Sequence, residues 1–281
     1  MRKHTRAQRE QEYEQEAGSY TQRKPHQKTD ALIATLKKAS KKRLLICIRG
    51  YPDPDNIASA LALEWLAKPF QIKTKILYFE DISHYENRAL VKGLDMDLEQ
   101  YSPDFKLDDY DYFAINDSQT IELPISLPES CELLVFVDHH KPLGSIKSHF
   151  LDIRESAGST ASIFAQYIEN FTSEFTGKTP EEAQIATALM HGIRSDTDDY
   201  VNATQIDYHA SQFLAPFVDR DLLSLISRQA ISAKTMDLTQ VALQHKDIRE
   251  TYLFSGVGYV REEDRDGIGQ CADYLLHREG I

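Results

Sequence analysis

Three times along this chain an apolar run of strand length ends abruptly in acid. Leu44-Leu45-Ile46-Cys47-Ile48 leads to Asp53 and Asp55. Tyr112-Phe113-Ala114-Ile115 leads to Asp117, and Leu133-Leu134-Val135-Phe136-Val137 leads to Asp138, His139 and His140. Each run is apolar at successive rather than alternate positions, which suits a strand buried on both faces. Helical patterns such as residues 56–67 lie between the runs, and residues 72–79 read as one more strand. The alternation predicts an α/β fold, a parallel sheet with helices on both faces. In open sheets of that kind the ligand site lies beyond the carboxyl ends of the strands. All three acidic clusters are expected there.

Composition narrows the class further. With 281 residues, 41% hydrophobic and 27% charged, the chain can form one large domain or two smaller ones. It is not collagen-like, disordered or a disulfide scaffold. Cys47, Cys131 and Cys271 cannot all pair and none lies in a Cys-x-x-Cys, which predicts a reducing compartment and no zinc knuckle. The apolar runs are far too short to span a bilayer, and the first thirty residues lack the apolar centre of a secretory leader. A cytoplasmic location without a membrane partner is the expectation.

Lys and Arg number 32 against 44 Asp and Glu, a net charge of −12. Residues 1–43 hold 12 basic and 5 acidic residues, so the body that follows is more acidic than the whole. Such a body is a poor platform for long duplex DNA, whose phosphates need Lys and Arg. It suits a carboxylate cluster that holds cations, although most of the excess serves solubility.

Residues 1–28 read as a polar flexible tail, partly helical at 7–17. A first helix is expected from Thr29, and the basic cluster from Lys37 to Arg43 suits its C-terminal dipole better than it suits nucleic acid. Residues 29–215 form the main domain. Within it, 159–171 carries a helical apolar stripe. Thr179-Pro180-Glu181-Glu182 starts another helix, expected to stop near Gly192, just before Asp196. Residues 216–246 read as a helical linker. Residues 247–281 read as a strand at 253–260 and a helix at 267–277. That is too little to bury a core, so this part is expected to be the beginning of a C-terminal domain cut short.

Asp53, Asp55, Asp117, His139 and Asp196 carry the candidate chemistry. Carboxylates brought to one sheet edge repel each other and call for a cation. Oxygen ligands with an imidazole suit Mn²⁺ better than Zn²⁺. An Asp-x-Asp can serve two metals about 4 Å apart, the spacing of two-metal phosphoryl chemistry.

At these residues the chain resembles the DHH phosphoesterase family of the RecJ-like superfamily. Pro52-Asp53-Pro54-Asp55, followed by a helical run from Asn56, matches the first motif. Asp117 in Asn116-Asp117-Ser118 matches the second, Asp138-His139-His140 the third, and Gly192-Ile193-Arg194-Ser195-Asp196-Thr197 the fourth. Gly158-Ser159-Thr160-Ala161 matches a turn of the same family. The motifs occur in family order over about residues 43–200. The closest likeness is to the nanoRNase branch, whose members degrade short oligonucleotides or dephosphorylate 3′-phosphoadenosine 5′-phosphate.

The resemblance implies two Mn²⁺ ions, with Mg²⁺ as the alternative. Asp53 would hold one and Asp55 the other, Asp117 and Asp196 would sit between or beside both, and His139 would ligate the second. His140 would contact substrate or steady the site, and Asp138 would buttress the histidines. Asp117, His139 and His140 are thus the expected catalytic residues. The implied partner is a short single-stranded oligonucleotide or small nucleotide, and a homodimer is allowed. Arg88, after a strand end, could also reach phosphate.

The chain departs from the family at Arg49, which stands where the first-motif His belongs. A guanidinium cannot ligate a metal but can fork onto a phosphate. Arg49 is therefore expected to weaken one metal site and bind substrate. Asp198 replaces a usual Gly, and no Gly-Gly-Gly-His-like run follows. Two other functions fit less well. One is a degenerate nucleotide-sensing module. The other is a pyrophosphatase-like hydrolase, which would need a basic cluster that residues 247–281 lack. His191, Cys47, Trp65 and Tyr167 read as packing residues.

Overall fold

The computed structural model describes residues 23–82, 85–171, 175–227, 232–261 and 264–278. The expected tail, including its helical stretch at 7–17, lies mostly outside them. The chain divides into two compact units, one of residues up to 80 with 97–219, the other of 81–96 with 220–281.

The first unit is built on a six-stranded sheet of β1 (Arg43–Ile48), β2 (Lys73–Tyr78), β3 (Leu98–Gln100), β4 (Tyr112–Asn116), β5 (Glu132–Asp138) and β6 (Phe150–Ile153). The strand order is β3-β2-β1-β4-β5-β6 and every pairing is parallel. The order reverses between β1 and β4. In α/β sheets such a reversal opens a crevice at the carboxyl ends of the two strands. Asp53 and Asp55 follow β1, and Asp117 follows β4, so the acidic clusters flank that crevice. Sequence reading missed β3 and β6, which are short edge strands without a continuous apolar run.

Helices α1 (Arg23–Lys38), α2 (Pro54–Ala67), α4 (Thr160–Phe171), α5 (Pro180–Asp196) and α6 (Gln205–Leu214) complete the unit. α1 begins before the expected Thr29, because Pro25 falls in a first turn, where a missing N–H costs nothing. α2 packs on α4 and α5, and α1 on α4. Leu36, Ile57, Leu63, Phe164 and Tyr167 are fully buried among them. Each such side chain contributes roughly 1.5–3 kcal/mol of apolar transfer. The sheet is thus the expected parallel, helix-flanked one, but its other apolar cluster has a different cover. Leu45, Cys47, Leu77, Ile115 and Phe136 are packed by Tyr101, Phe105, Leu107, Leu123, Leu127 and Ile146, which belong to connections.

α5 corrects one boundary. It passes through Gly192 and ends at Asp196, so Asp196 is the last helical residue and not part of a loop. A Cβ at Gly192 would lie 3.1 Å from the Asp55 Cα and 3.2 Å from the Ala161 Cβ. The glycine permits a close crossing of three helices and does not end its own.

In the second unit α3 (Tyr85–Gly93) packs on α7 (Arg220–Ser227). Residues 81–96 and much of the expected 216–246 linker therefore belong to this unit. α8 (Ala233–Gln244) and α9 (Asp266–Leu276) enclose Leu238, Ala242, Cys271 and Leu275, with Leu253 and Val257 against them. The expected 253–260 strand is instead an antiparallel hairpin, β7 (Asp247–Arg249) and β8 (Tyr252–Phe254). Glu250 turns it at φ 55°. Among the described residues, no helix is long and apolar enough to cross a membrane.

Candidate metal and phosphate site

Asp53 ends the loop after β1 in extended backbone, and its carboxylate accepts the Asn56 N–H at 2.8 Å. It is the N-cap of α2, with Pro54 behind it at the first helical position. The same geometry places Asp55 in the first turn, wholly buried. Asp55 points at the start of α4, where its two oxygens accept the Thr160 N–H at 2.7 Å and the Ala161 N–H at 2.6 Å. Those N–H groups have no partner within their own helix, and the helix dipole favours an anion beside them.

Asp117 stands at φ 52°, in the left-handed region that Asp tolerates better than most residues. Its N–H still pairs with the Val137 carbonyl at 2.8 Å, so the chain turns only after the last ladder bond. One Asp117 oxygen accepts the Thr160 hydroxyl at 3.1 Å. Asp196 is followed by three consecutive left-handed residues, Asp198, Asp199 and Tyr200. Each costs roughly 1–2 kcal/mol. The turn is held by the Tyr200 N–H donating to the Thr197 hydroxyl at 3.2 Å and by Arg194 on Asp199 at 2.9 Å.

His139 and His140 leave the end of β5 with distinct bonds. His139 Nδ1 is 3.3 Å from the Ala157 carbonyl, which fixes the proton on Nδ1. Its Nε2 then faces Asp196 at 3.0 Å and Asp117 at 3.5 Å. That nitrogen is buried without an aligned hydrogen bond. His140 Nδ1 lies 2.9 Å from the wholly buried Asp138 carboxylate, which holds the ring from behind. Packing these acids together is electrostatically costly.

 The cost falls on the carboxyls themselves. Burial, and then the charges of Asp117, Asp196 and Asp53, hold the Asp55 carboxyl well above the usual range even with two backbone donors on it. Burial, then Asp53 and Asp196, pushes Asp117 up to about 7. Burial also raises Asp53. Burial lowers the His139 imidazole, but Asp196 and Asp117 outweigh it and the net shift is upward. The Asp138 hydrogen bond raises His140 to about 9. Burial is the largest cause for the three carboxyls and the repulsion between them adds to it, while the same negative charge draws both imidazoles upward.

Among the described residues, two groups of side chains offer ligand atoms within 4.8 Å of one another. One is Asp55, Asp117, His139 and Asp196, and the other is Asp117, His139 and His140. The donor set is oxygen with imidazole nitrogen, and the buried His139 Nε2 presents its lone pair to it, so a divalent cation fits. The structure therefore brings together four of the five expected ligands. Asp53 is outside both groups, although its charge acts on Asp55 and Asp117. Arg49 is also outside them, and its Nε donates to the Glu122 carbonyl at 2.7 Å. Arg88 lies on α3, in the second unit. Sequence reading gave no role to Thr160, which touches both Asp55 and Asp117. Its only signal was the Gly158–Ala161 turn.

No family model matches the chain. A curated relative, the uncharacterized protein MJ1633 of Methanocaldococcus jannaschii, is 34% identical over 241 residues, 85% of this chain and 48% of that protein. The chain thus spans about half the length of the curated relative it matches. A solved exopolyphosphatase-related protein from Bacteroides fragilis superposes with a TM-score of 0.65 and 14% identity, over 90% of this chain and 78% of that one. A putative family II inorganic pyrophosphatase of Methanococcus jannaschii superposes with a TM-score of 0.50 and 18% identity, over 83% and 78%. The likeness to these solved structures is one of fold, and it does not single out the nanoRNase branch.

Proposed function

We propose that this chain is a divalent-metal-dependent phosphoester hydrolase, using Mn²⁺ or Mg²⁺ on short oligonucleotides or small nucleotides. One observation carries the reading. Asp55, Asp117, His139 and Asp196 converge at the reversal of strand order, and the acids there outnumber the positive charge beside them. Bound cations would supply that charge, polarise a phosphate and lower the pKa of a water. The chain's own residues do the rest. The α4 N-terminus fixes both Asp55 oxygens, and Ala157 fixes the His139 tautomer. Asp138 orients His140, whose raised pKa keeps a proton near a phosphate at neutral pH. Asp53 caps α2 and supplies a further carboxylate beside the cluster, and Arg49 is the substrate-binding cation of this unit in this reading.

A pyrophosphatase-like activity is the second reading, favoured by the fold likeness to a putative family II inorganic pyrophosphatase. The acidic body suits a small substrate in either case. Turnover of a dinucleotide, 3′-phosphoadenosine 5′-phosphate, pyrophosphate and polyphosphate with Mn²⁺ tests both. Hydrolysis of the first two supports the nucleotide reading, and hydrolysis of the last two alone supports the second. No turnover of any, with Mn²⁺ bound, would leave a sensing module and refute both.

A further inference from the structure

Asp207 is wholly buried on α6 and took no part in the site as read from sequence. It closes a capping box with Thr204, accepting the Thr204 N–H at 2.7 Å and the Thr204 hydroxyl at 2.8 Å on Oδ2. A local cap needs no more. The same carboxylate also accepts the Gly158 N–H at 2.9 Å and the Ser162 hydroxyl at 2.6 Å, with Ser159 Oγ at 3.3 Å. Asp207 therefore grips both flanks of Thr160 and Ala161, the residues whose N–H groups hold Asp55 and whose threonine hydroxyl holds Asp117. Gly158 makes the grip close. A Cβ there would lie 2.5 Å from Asp207 Oδ2 and 2.8 Å from Thr197 Cγ2.

We propose that Asp207 is a positioning residue for the cation site: it fixes the 158–162 turn so that this turn fixes the Asp55 and Asp117 carboxylates. The proposal rests on the metal-site reading given above. It describes a relay of hydrogen bonds in which Asp207 never touches the cation. Loss of such an outer support weakens metal binding by about 10- to 100-fold in known sites.

The test uses the whole chain and two readouts, Mn²⁺ affinity by calorimetry and hydrogen exchange at the Thr160 and Ala161 amides. Leu36→Ala is the control, since Leu36 is a buried side chain of α1 and belongs to no part of the site. Leu36→Ala should lower the melting temperature and leave Mn²⁺ affinity at the wild-type value. Asp207→Ala should weaken Mn²⁺ binding by about tenfold or more and speed exchange at both amides. If Asp207→Ala does not fold, Asp207→Asn carries the test. It keeps one oxygen for the Gly158 and Thr204 N–H groups and turns an amide toward the serines, so the expected loss of affinity is smaller, about threefold or more. A folded variant with wild-type exchange and wild-type Mn²⁺ affinity overturns the proposal. Wild-type protein that takes up no divalent cation refutes the metal reading instead. In that case unchanged amide exchange in the folded variant would still overturn the relay, and faster exchange would support it.

Discussion

Two buried acidic regions of the first unit meet different fates. Asp207 is surrounded by N–H and O–H donors from Gly158, Ser162 and Thr204. Asp152 on β6 is likewise satisfied, by Arg154 at 2.7 Å and the Tyr167 hydroxyl at 2.5 Å. At the strand ends, Asp55 and Asp117 have donors too, but each also feels other carboxylates, and their protons are held far up the pH scale. A carboxylate that serves the fold is buried with its donors. A group of carboxylates buried against one another is ionised only at a cost, which protons or a bound cation would relieve.

Breaking the strand-end cluster should have the largest effect. Asp117→Asn should lower turnover by on the order of a thousandfold or more, since it removes a shared ligand oxygen. The metal-free variant should melt at a higher temperature than wild type, because one of the opposed charges is gone. Steady-state rates and thermal melts check the two halves separately.

The pH dependence of the metal-free protein comes next. Asp117 is raised from 3.8 to about 7, so the native state holds a proton that the unfolded chain releases between those values. Its stabilising contribution is complete below about pH 4 and lost as pH rises through about 7. His140, raised from 6.5 to about 9, has the same sign, its contribution being lost as pH rises through 9. Stability should therefore fall steadily from about pH 4 to 9 without metal. With Mn²⁺ at about a hundred times its dissociation constant, roughly 2.7 kcal/mol should return at neutral pH. Urea melts across that range, with and without metal, measure both.

Much of this contrast could be read in the sequence, for a physical reason. β1, β4 and β5 are buried on both faces, so their apolar runs are continuous, and a run that stops in Asp or His marks a strand end facing the crevice. β3 and β6 lie at the edges and are brief, and they leave no comparable run. The supports of the site were hidden for a different reason. Thr160 meets Asp55 across 105 residues of chain, and Asp207 meets Gly158 across 49. A capping box can be read locally as Thr204 followed by Asp207. The reach of the same carboxylate to a second helix exists only once the helices are packed. The end of α5 was misplaced because a mid-helix Gly192 resembles a stop, while its role is the close approach to Asp55.

The satisfied region should respond in the opposite way to the strand ends. Asp152→Ala removes the single oxygen, Oδ2, to which Arg154 Nε, Arg154 Nη2 and the Tyr167 hydroxyl all donate. A loss of about 3 kcal/mol in urea melts is expected, with Mn²⁺ affinity kept. A variant as stable as wild type would remove the distinction between the two regions.

Arg49→His should have the smallest effect. It exchanges a guanidinium, held by the Glu122 carbonyl, for an imidazole that can ligate, and Mn²⁺ affinity should tighten by about threefold. Unchanged affinity together with an unchanged Michaelis constant would show that Arg49 only anchors the loop at Glu122.

In the metal-site reading, the strand-end carboxylates are completed by a cation. Crystals grown or soaked with Mn²⁺ and measured for anomalous scattering test it most directly. A peak is expected within ligand distance, about 2–2.3 Å, of oxygens of Asp55, Asp117 and Asp196 and of His139 Nε2. A map from Mn²⁺-saturated crystals with no peak among those four residues would contradict it.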